Sequence, residues 1–363
     1  MDHKTYPVGS LSGDQVHAVL TVATRAPSLH NSQPWRFRCT PSTIELYADT
    51  TRALPVADPD ERETLLACGA ALMNLRLAIR SHGVYPDVRL CPDSRRSNLL
   101  AVIRPQGHSP IAPAELRLAR AISQRSTNRR PFVDGHIDEP VRHQLRHAAE
   151  HERAFLAIVT PHQEPSLRYL ALEAHELQRS NPAFVAEWEH WTAREPGDLD
   201  GVPATSGGPL PEPHDELVLR DFSAGRARSR VPGKDFETQP MIAVVGSFHD
   251  LPLARLQAGQ AMQRVLLTAV TAGLSASFLS QLVEVPTVRK QLRELIGGGL
   301  WPQAVLRIGY GSPIPQTPRR DIENILDHSD EDGEGHSRQG TDERAYVELG
   351  AGQEDSGRLR SRN

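Results

Sequence analysis

Apolar residues recur at helical spacing in several separate stretches of the chain. Val16, Val19, Leu20 and Ala23 share one face of a helix predicted over 12–24, with Ser12 as its N-cap. Between 60 and 82, Leu65, Leu66, Ala70, Leu72, Met73, Leu77 and Ile79 leave little polar face, which predicts a buried helix closed by Gly83. Further helices are predicted over 113–126, 138–151, 166–194 with a break at Pro182, and 255–272 closed by Gly273. Alternating or continuous apolar runs predict strands over 35–39, 44–48, 84–90, 99–104, 155–159, 241–246 and 301–310. From about 327 onward apolar residues are few, and a disordered polar tail over 327–363 is expected.

The pattern repeats. Val16, Leu20 and Ala23 return 125 residues later as Val141, Leu145 and Ala148. Gly69, Ala71, Leu77 and Gly83 return 190 residues later as Gly259, Ala261, Leu267 and Gly273. In each half the order is helix, strand, long buried helix ending in Gly. The change of offset requires extra chain in the second half, and the Pro-, Gly- and charge-rich stretch of about 160–240 is where it falls. An α+β chain of two degenerate halves, 1–110 and 111–326, fused as an intramolecular pseudo-dimer, is therefore expected.

Composition narrows the function. A net charge of −4 over 363 residues offers no basic field for nucleic acid. No apolar run is long enough for a membrane helix, and the first residues lack the apolar core of a signal peptide, so a cytoplasmic protein is expected. Cys39, Cys68 and Cys91 are far apart and read as reduced thiols. His143, His147 and His151 stand four apart, but no Cys or carboxylate motif completes a set, so no metal is expected. Ser206-Gly207-Gly208 lacks a G-x-S-x-G frame, and Gly297–Gly299 lack a strand–helix context.

Chemistry concentrates in 24–37. Pro27 breaks the preceding helix, Ser28, His30, Asn31, Ser32 and Gln33 offer donors and acceptors in a row, and Pro34 precedes a new strand. The amides of Asn31 and Gln33 suit the edge of a pyrimidine-like ring. The run Ala26-Pro27-Ser28-x-x-Asn31-x-Gln33-Pro34-Trp35-x-Phe37 resembles the flavin-ring loop of the FMN-dependent nitroreductase family, and is most similar to the Acg-like branch of actinobacterial NAD(P)H nitroreductases.

That resemblance implies a nitroreductase-like fold over roughly 10–325 and one non-covalent FMN per chain. Arg125, Ser126, Thr127, Asn128 and Arg129 resemble the family's phosphate element, with Ser126 in place of a second base and Thr127 in place of Ser. A phosphate of about two negative charges suits guanidinium and hydroxyl donors. Arg319 and Arg320 resemble the C-terminal phosphate arginines, and Ser280 and Gln281, after Phe278 and Leu279, match positions beside the reactive ring nitrogen, where family members often carry Glu-Gly. Ring loop and phosphate element lie in different halves, as they lie in different subunits of the family's homodimers, so one site per chain and a monomer are expected. The implied activity is NAD(P)H-dependent two-electron reduction of a small nitro or quinone-type acceptor, with the flavin doing the chemistry and no side chain required as acid or base. The alternative is a flavin store, with residues 160–240 folded over the ring as a lid and little or no turnover.

Overall fold

Two long helices meet at the centre because both are apolar around most of their circumference. The computed structural model describes residues 6–327, apart from 94, 193, 196, 224, 227–229, 231–234 and 238. The expected polar tail lies outside the described residues except for Asp327. Helix α1 is Gly13–Ala23, capped by Ser12 in a reciprocal pair with Gln15. Strands β1 (Trp35–Cys39) and β2 (Ile44–Ala48) form a hairpin, and helix α2 (Arg62–Ser81) leads to β3 (Val84–Leu90) and β4 (Leu99–His108). Helices α3 (Pro113–Ala121) and α4 (Glu139–Glu150) precede β5 (Phe155–Ile158). Then come α5 (Glu164–Arg179), α6 (Pro182–Trp191), β6 (Met241–Ser247), α7 (Pro252–Thr271), β7 (Ser275–Phe278), the short α8 (Gln281–Glu284), α9 (Pro286–Leu295) and β8 (Trp301–Gly309).

The two halves share one topology. The first sheet runs β1-β2-β4-β3 and the second β5-β6-β8-β7, with every neighbour antiparallel. Each has a long helix between its second and third strands. Gly83 and Gly273, at φ 72° and 74°, end these helices in the left-handed conformation that a side chain disfavours. Where the first half joins its opening strands by a four-residue turn, the second carries 159–240 between β5 and β6.

Helices α2 and α7 pack through their glycines. A Cβ on Gly69 would stand 2.3 Å from the Leu256 carbonyl oxygen, and one on Gly259 would stand 2.2 Å from that of Leu66. Leu66 and Leu256 are separated by the same 190 residues as the glycines, so each half presents the same patch to the other, as in a two-fold interface. A buried hydrogen bond from Gln263 to Asn74, 2.7 Å, lies in the same seam. One apolar core runs through both halves, from Val16 and Leu20 to Leu306 and Ile308.

Four elements differ from the sequence-based expectation. The 113–126 helix ends at Ala121, because the following residues leave it to pair with β7, where the Asn128 N–H donates to the Ala276 carbonyl at 2.9 Å. β4 extends beyond 104 to His108, paired with β3 throughout. β7, only four residues long, gave no periodic signal, whereas α9 places Val288, Leu292 and Leu295 at helical spacing and was missed all the same. The second half also reaches back across the first sheet: the Phe37 N–H donates to Ile325 and the Asp327 N–H to Phe37, each at 2.8 Å, along the edge of β1.

Candidate functional site

The loop between α1 and β1 is bent by backbone conformations that side chains rarely adopt. His30, Asn31 and Gln33 have φ of 50°, 56° and 53°. Such residues cost free energy that surrounding structure must offset, and they gather where a loop is shaped for a task. Ser28 Oγ accepts from the Gln33 N–H at 3.0 Å and closes the bend. Gln33 Oε1 accepts from the Arg320 N–H at 2.9 Å, and its Nε2 donates to the Leu199 carbonyl at 2.7 Å. Asn31 Nδ2 donates to the carbonyls of Gly201 (3.0 Å) and Pro318 (3.2 Å).

The bend forms one wall of a cavity at the seam between the two halves. Ser28, His30 and Asn31 line it from the loop, Leu66 and Ala67 from α2, and Met262 from α7. Phe278 and Ser280 line it from β7 and the turn that follows. Val202 and Phe222 come from the long insertion.

Basic residues gather on this cavity without counterions. Arg125, Arg129 and Arg319 line it together with Thr127 and Thr317. Among the described residues, Arg125 reaches only the Thr127 hydroxyl and the Arg25 carbonyl, at 3.5 and 3.4 Å. Arg129 donates to the Ser206 carbonyl at 3.0 Å and lies 4.3 Å over the Phe222 ring. Arg319 donates to the carbonyls of Thr24 and Ala26, at 2.7 and 3.0 Å. Burial pushes the guanidinium pKa of Arg125 and Arg129 down to about 10 and that of Arg319 to about 9, with neighbouring arginines adding to the effect on the last two. Among the described residues, none of the three gains a compensating carboxylate. Cations placed so, away from water and without a carboxylate, make the cavity favourable for negative charge.

Other polar atoms are also left open. His30 is 4% exposed, and neither ring nitrogen has a hydrogen-bond partner. Burial lowers its pKa to about 3, Glu284 opposing and Arg220 and Arg129 reinforcing, so the imidazole is neutral. Asn31 Oδ1 and Arg125 Nε are buried and unpartnered as well.

The insertion bonds to the cavity walls rather than standing clear of them. Arg220 donates to Ser280 Oγ (2.9 Å), Gln178 Oε1 (2.6 Å) and both oxygens of Glu284 (3.1 and 2.5 Å). Burial alone would raise the Glu284 pKa, but Arg220 outweighs it and holds the carboxylate down at about 2. Arg52, beside the loop, donates to the Ser32 carbonyl and pairs with Asp200 of the insertion.

Of the residues singled out from sequence, the structure brings Ser28, His30, Asn31, Arg125, Thr127, Arg129, Ser280 and Arg319 onto one cavity. Gln33, Asn128, Gln281 and Arg320 are not among its lining residues, and their side chains hold backbone. Asn128 donates to the Ser312 carbonyl at 3.0 Å, Gln281 to that of Leu217 at 3.2 Å, and Arg320 to those of Gln33 and Asn324. Ser126 does not line it either. Sequence reasoning missed Glu63, Met262, Phe222 and the Arg220–Glu284 pair. Glu63 is the one carboxyl among the lining residues. Burial raises its pKa to about 7, with Arg62 opposing and Asp58 and Glu284 reinforcing. The 190-residue repeat was the one signal that could have found Met262 and Glu63, since it sets α2 against α7 at the seam between halves.

His143, His147 and His151 stack along α4 with ring centroids 6.0 and 5.6 Å apart, away from the cavity. Glu212, His214 and Asp235 converge elsewhere, and Arg230 reaches both carboxylates, at 3.5 and 3.3 Å. No helix among the described residues is long and apolar enough to cross a membrane.

No family model matches the chain. Among curated proteins it is 33% identical over 334 residues to the Mycobacterium tuberculosis protein named "Putative NAD(P)H nitroreductase Rv3131", covering 88% of this chain and 92% of that one. It is 29% identical over 326 residues to "Putative NAD(P)H nitroreductase acg" of the same organism, covering 88% and 97%. Among solved structures, an FMN- and NADPH-dependent nitroreductase, NfnB, of a Sphigopyxis strain covers 58% of this chain and 97% of its own at 16% identity, with a TM-score of 0.37. A nitroreductase with bound FMN from Bacteroides fragilis gives 56%, 94%, 13% and 0.31. Superpositions so loose carry no argument about the site. The sequence relationship spans nearly the whole of both chains, the two α+β halves repeat one topology, and on these grounds the chain belongs to the nitroreductase family.

Proposed function

We propose that the chain binds one FMN in this cavity and uses it for NAD(P)H-dependent two-electron reduction of a small nitro or quinone-type acceptor. One observation supports the reading: three guanidiniums, Arg125 buried and Arg129 and Arg319 half-buried, line a cavity with no carboxylate partner among the described residues, beside a strained loop with unsatisfied polar atoms. Such a site fits a molecule with an anionic end and a hydrogen-bonding ring. Arg125, Arg129 and Arg319 would take the phosphate, with the hydroxyls of Thr127 and Thr317 beside them. His30 and Asn31 Oδ1 would meet the ring edge, a neutral imidazole offering one donor and one acceptor. Leu66, Ala67, Met262 and Phe278 would pack on its apolar surface and exclude water. Bound FMN supplies the hydride-carrying ring, and the chain binds, orients and encloses it.

A second reading has its own support. The insertion supplies Val202 and Phe222 to the cavity and is tied down through Gly201, Leu199 and the buried Arg220–Glu284 pair. As a closed lid, it would make the protein a flavin store with little or no turnover. An anaerobic visible spectrum of the purified protein separates the readings. Yellow protein that bleaches with NADH or NADPH supports the reductase, and bleaching with dithionite alone supports the store. Colourless protein that takes up no added FMN refutes both, and two FMN per chain contradicts the single-site assignment.

A further inference from the structure

The cavity wall holds few groups able to give up a proton at neutral pH. Its arginines bind theirs too tightly, its serines and threonines are weak acids, and buried His30 carries no second proton. Glu63 is different in kind. It stands in the first turn of α2, a turn fixed by Asp58, whose two oxygens accept from the N–H groups of Glu63 and Thr64 at 2.8 Å each. The neighbouring Arg62 donates to Glu63 Oε1 at 2.5 Å and to the Val283 carbonyl at 3.2 Å. That link joins the turn carrying Glu63 to the segment carrying Ser280, on the same cavity.

We propose that Glu63 is the acid of this cavity, giving its carboxyl proton to an oxygen of a quinone-type or nitro acceptor as that acceptor takes a hydride. The inference rests on the flavin reading above. The hydride, two electrons and one proton, comes from reduced flavin, which a nicotinamide coenzyme has recharged. With a quinone, the hydride and the proton from Glu63 together convert two carbonyl oxygens into the two hydroxyls of a hydroquinone. The carboxyl O–H bond breaks, and its electron pair stays on Glu63. With a nitro group, one N–O bond breaks and the proton lets that oxygen leave as water, giving the nitroso compound.

The surroundings suit both protonation states. Burial keeps the acid protonated up to about pH 7, and the carboxylates of Asp58 and Glu284 act the same way. Arg62 stabilises the carboxylate left after transfer. Behind Glu284 stand Arg220, which is paired with it, and neutral His30. The Glu63 side chain is 14% exposed, so water can return the proton.

The test compares wild type, Glu63→Gln and Glu63→Asp as flavin-loaded protein, reduced anaerobically with dithionite. Stopped-flow mixing with a naphthoquinone and, separately, with ferricyanide gives a ratio of reoxidation rates, because ferricyanide takes electrons without a proton. The ratio should fall about 10²–10⁴-fold in Glu63→Gln, the usual worth of general acid catalysis, and recover in part in Glu63→Asp. Infrared spectra of the wild type should show a protonated-carboxyl band that titrates near pH 7 and is missing from Glu63→Gln. Yellow protein with an unchanged ratio, with no titrating band, or with reduced wild-type flavin that the quinone fails to reoxidise overturns the proposal. Wild type that binds no FMN overturns the flavin reading as well.

Discussion

Replacing Glu284 by Gln should loosen the insertion without touching its sequence. Arg220 and Glu284 are both buried, with side chains 5% and 1% exposed. Removing one partner of such a pair leaves the other charge stranded, at a cost of about 3–5 kcal/mol. The same pairing, helped by Ser280, holds the Glu284 pKa down at about 2 against the opposing effect of burial. Gln keeps one acceptor for Arg220, and Ser280 and Gln178 still accept from it, so the lower figure, about 3 kcal/mol, is expected. The sign follows from linkage. A carboxyl with a depressed folded pKa contributes stability that is present above pH 4.5 and lost as pH falls through 2. The variant should therefore be weakened at pH 7 and should lose less stability than the wild type between pH 4.5 and 2, because Glu284's share of that decline is gone. Amide exchange should report where the loss falls: exchange over 199–222 should accelerate about 100-fold, while α2 and α7 change no more than global stability requires. A wild-type denaturation midpoint at pH 7, with unchanged exchange in that segment, refutes the reasoning.

Two further substitutions test the seam and the anion site. Gly259→Ala brings a methyl within 2.2 Å of the Leu66 carbonyl, so α2 and α7 must part. The expected cost is about 1–3 kcal/mol by chemical denaturation, even though Ala gains up to about 1 kcal/mol in helix propensity; an unchanged or raised midpoint contradicts the close crossing. Arg125→Ala should weaken FMN by about 1.5–3 kcal/mol, one charge-assisted contact, read by fluorescence titration; unchanged affinity removes Arg125 from the site.

Much of the framework was visible in the sequence because it rests on short-range rules. Gly83 and Gly273 marked two helix ends and end them here, while Gly69 and Gly259 stood out in the sequence only as a repeat and are placed at the helix crossing by the structure. Residues 26–33 were recognisable as a loop because Pro27 and a run of short polar side chains allow little else. What the sequence could not settle was direction. Gln33 and Asn31 are both amides on that loop, yet Gln33 turns to hold Leu199 and Arg320 while Asn31 keeps an oxygen free beside the cavity. Glu63 in a first helical turn is indistinguishable from an ordinary partner of the helix dipole. Only tertiary burial gives it other chemistry. Phe222 and Arg220 sit in a stretch without periodicity, where no pattern ties a residue to a partner sixty positions away.

The fusion of two halves also changes what mutation can do. In a homodimer every substitution or insertion appears twice, and a segment long enough to cover one site would have to be accommodated at its symmetric copy. Here the 159–240 insertion occurs once, between β5 and β6, while the matching hairpin of the first half keeps its four-residue turn. The bent loop at 26–33 and the arginine run at 125–129 likewise occur once each. A single polypeptide also fixes their local concentration, so dilution cannot pull the two walls of the cavity apart as it would two subunits. Each half was thus free to specialise, one presenting the bent loop and the other the guanidiniums and the insertion.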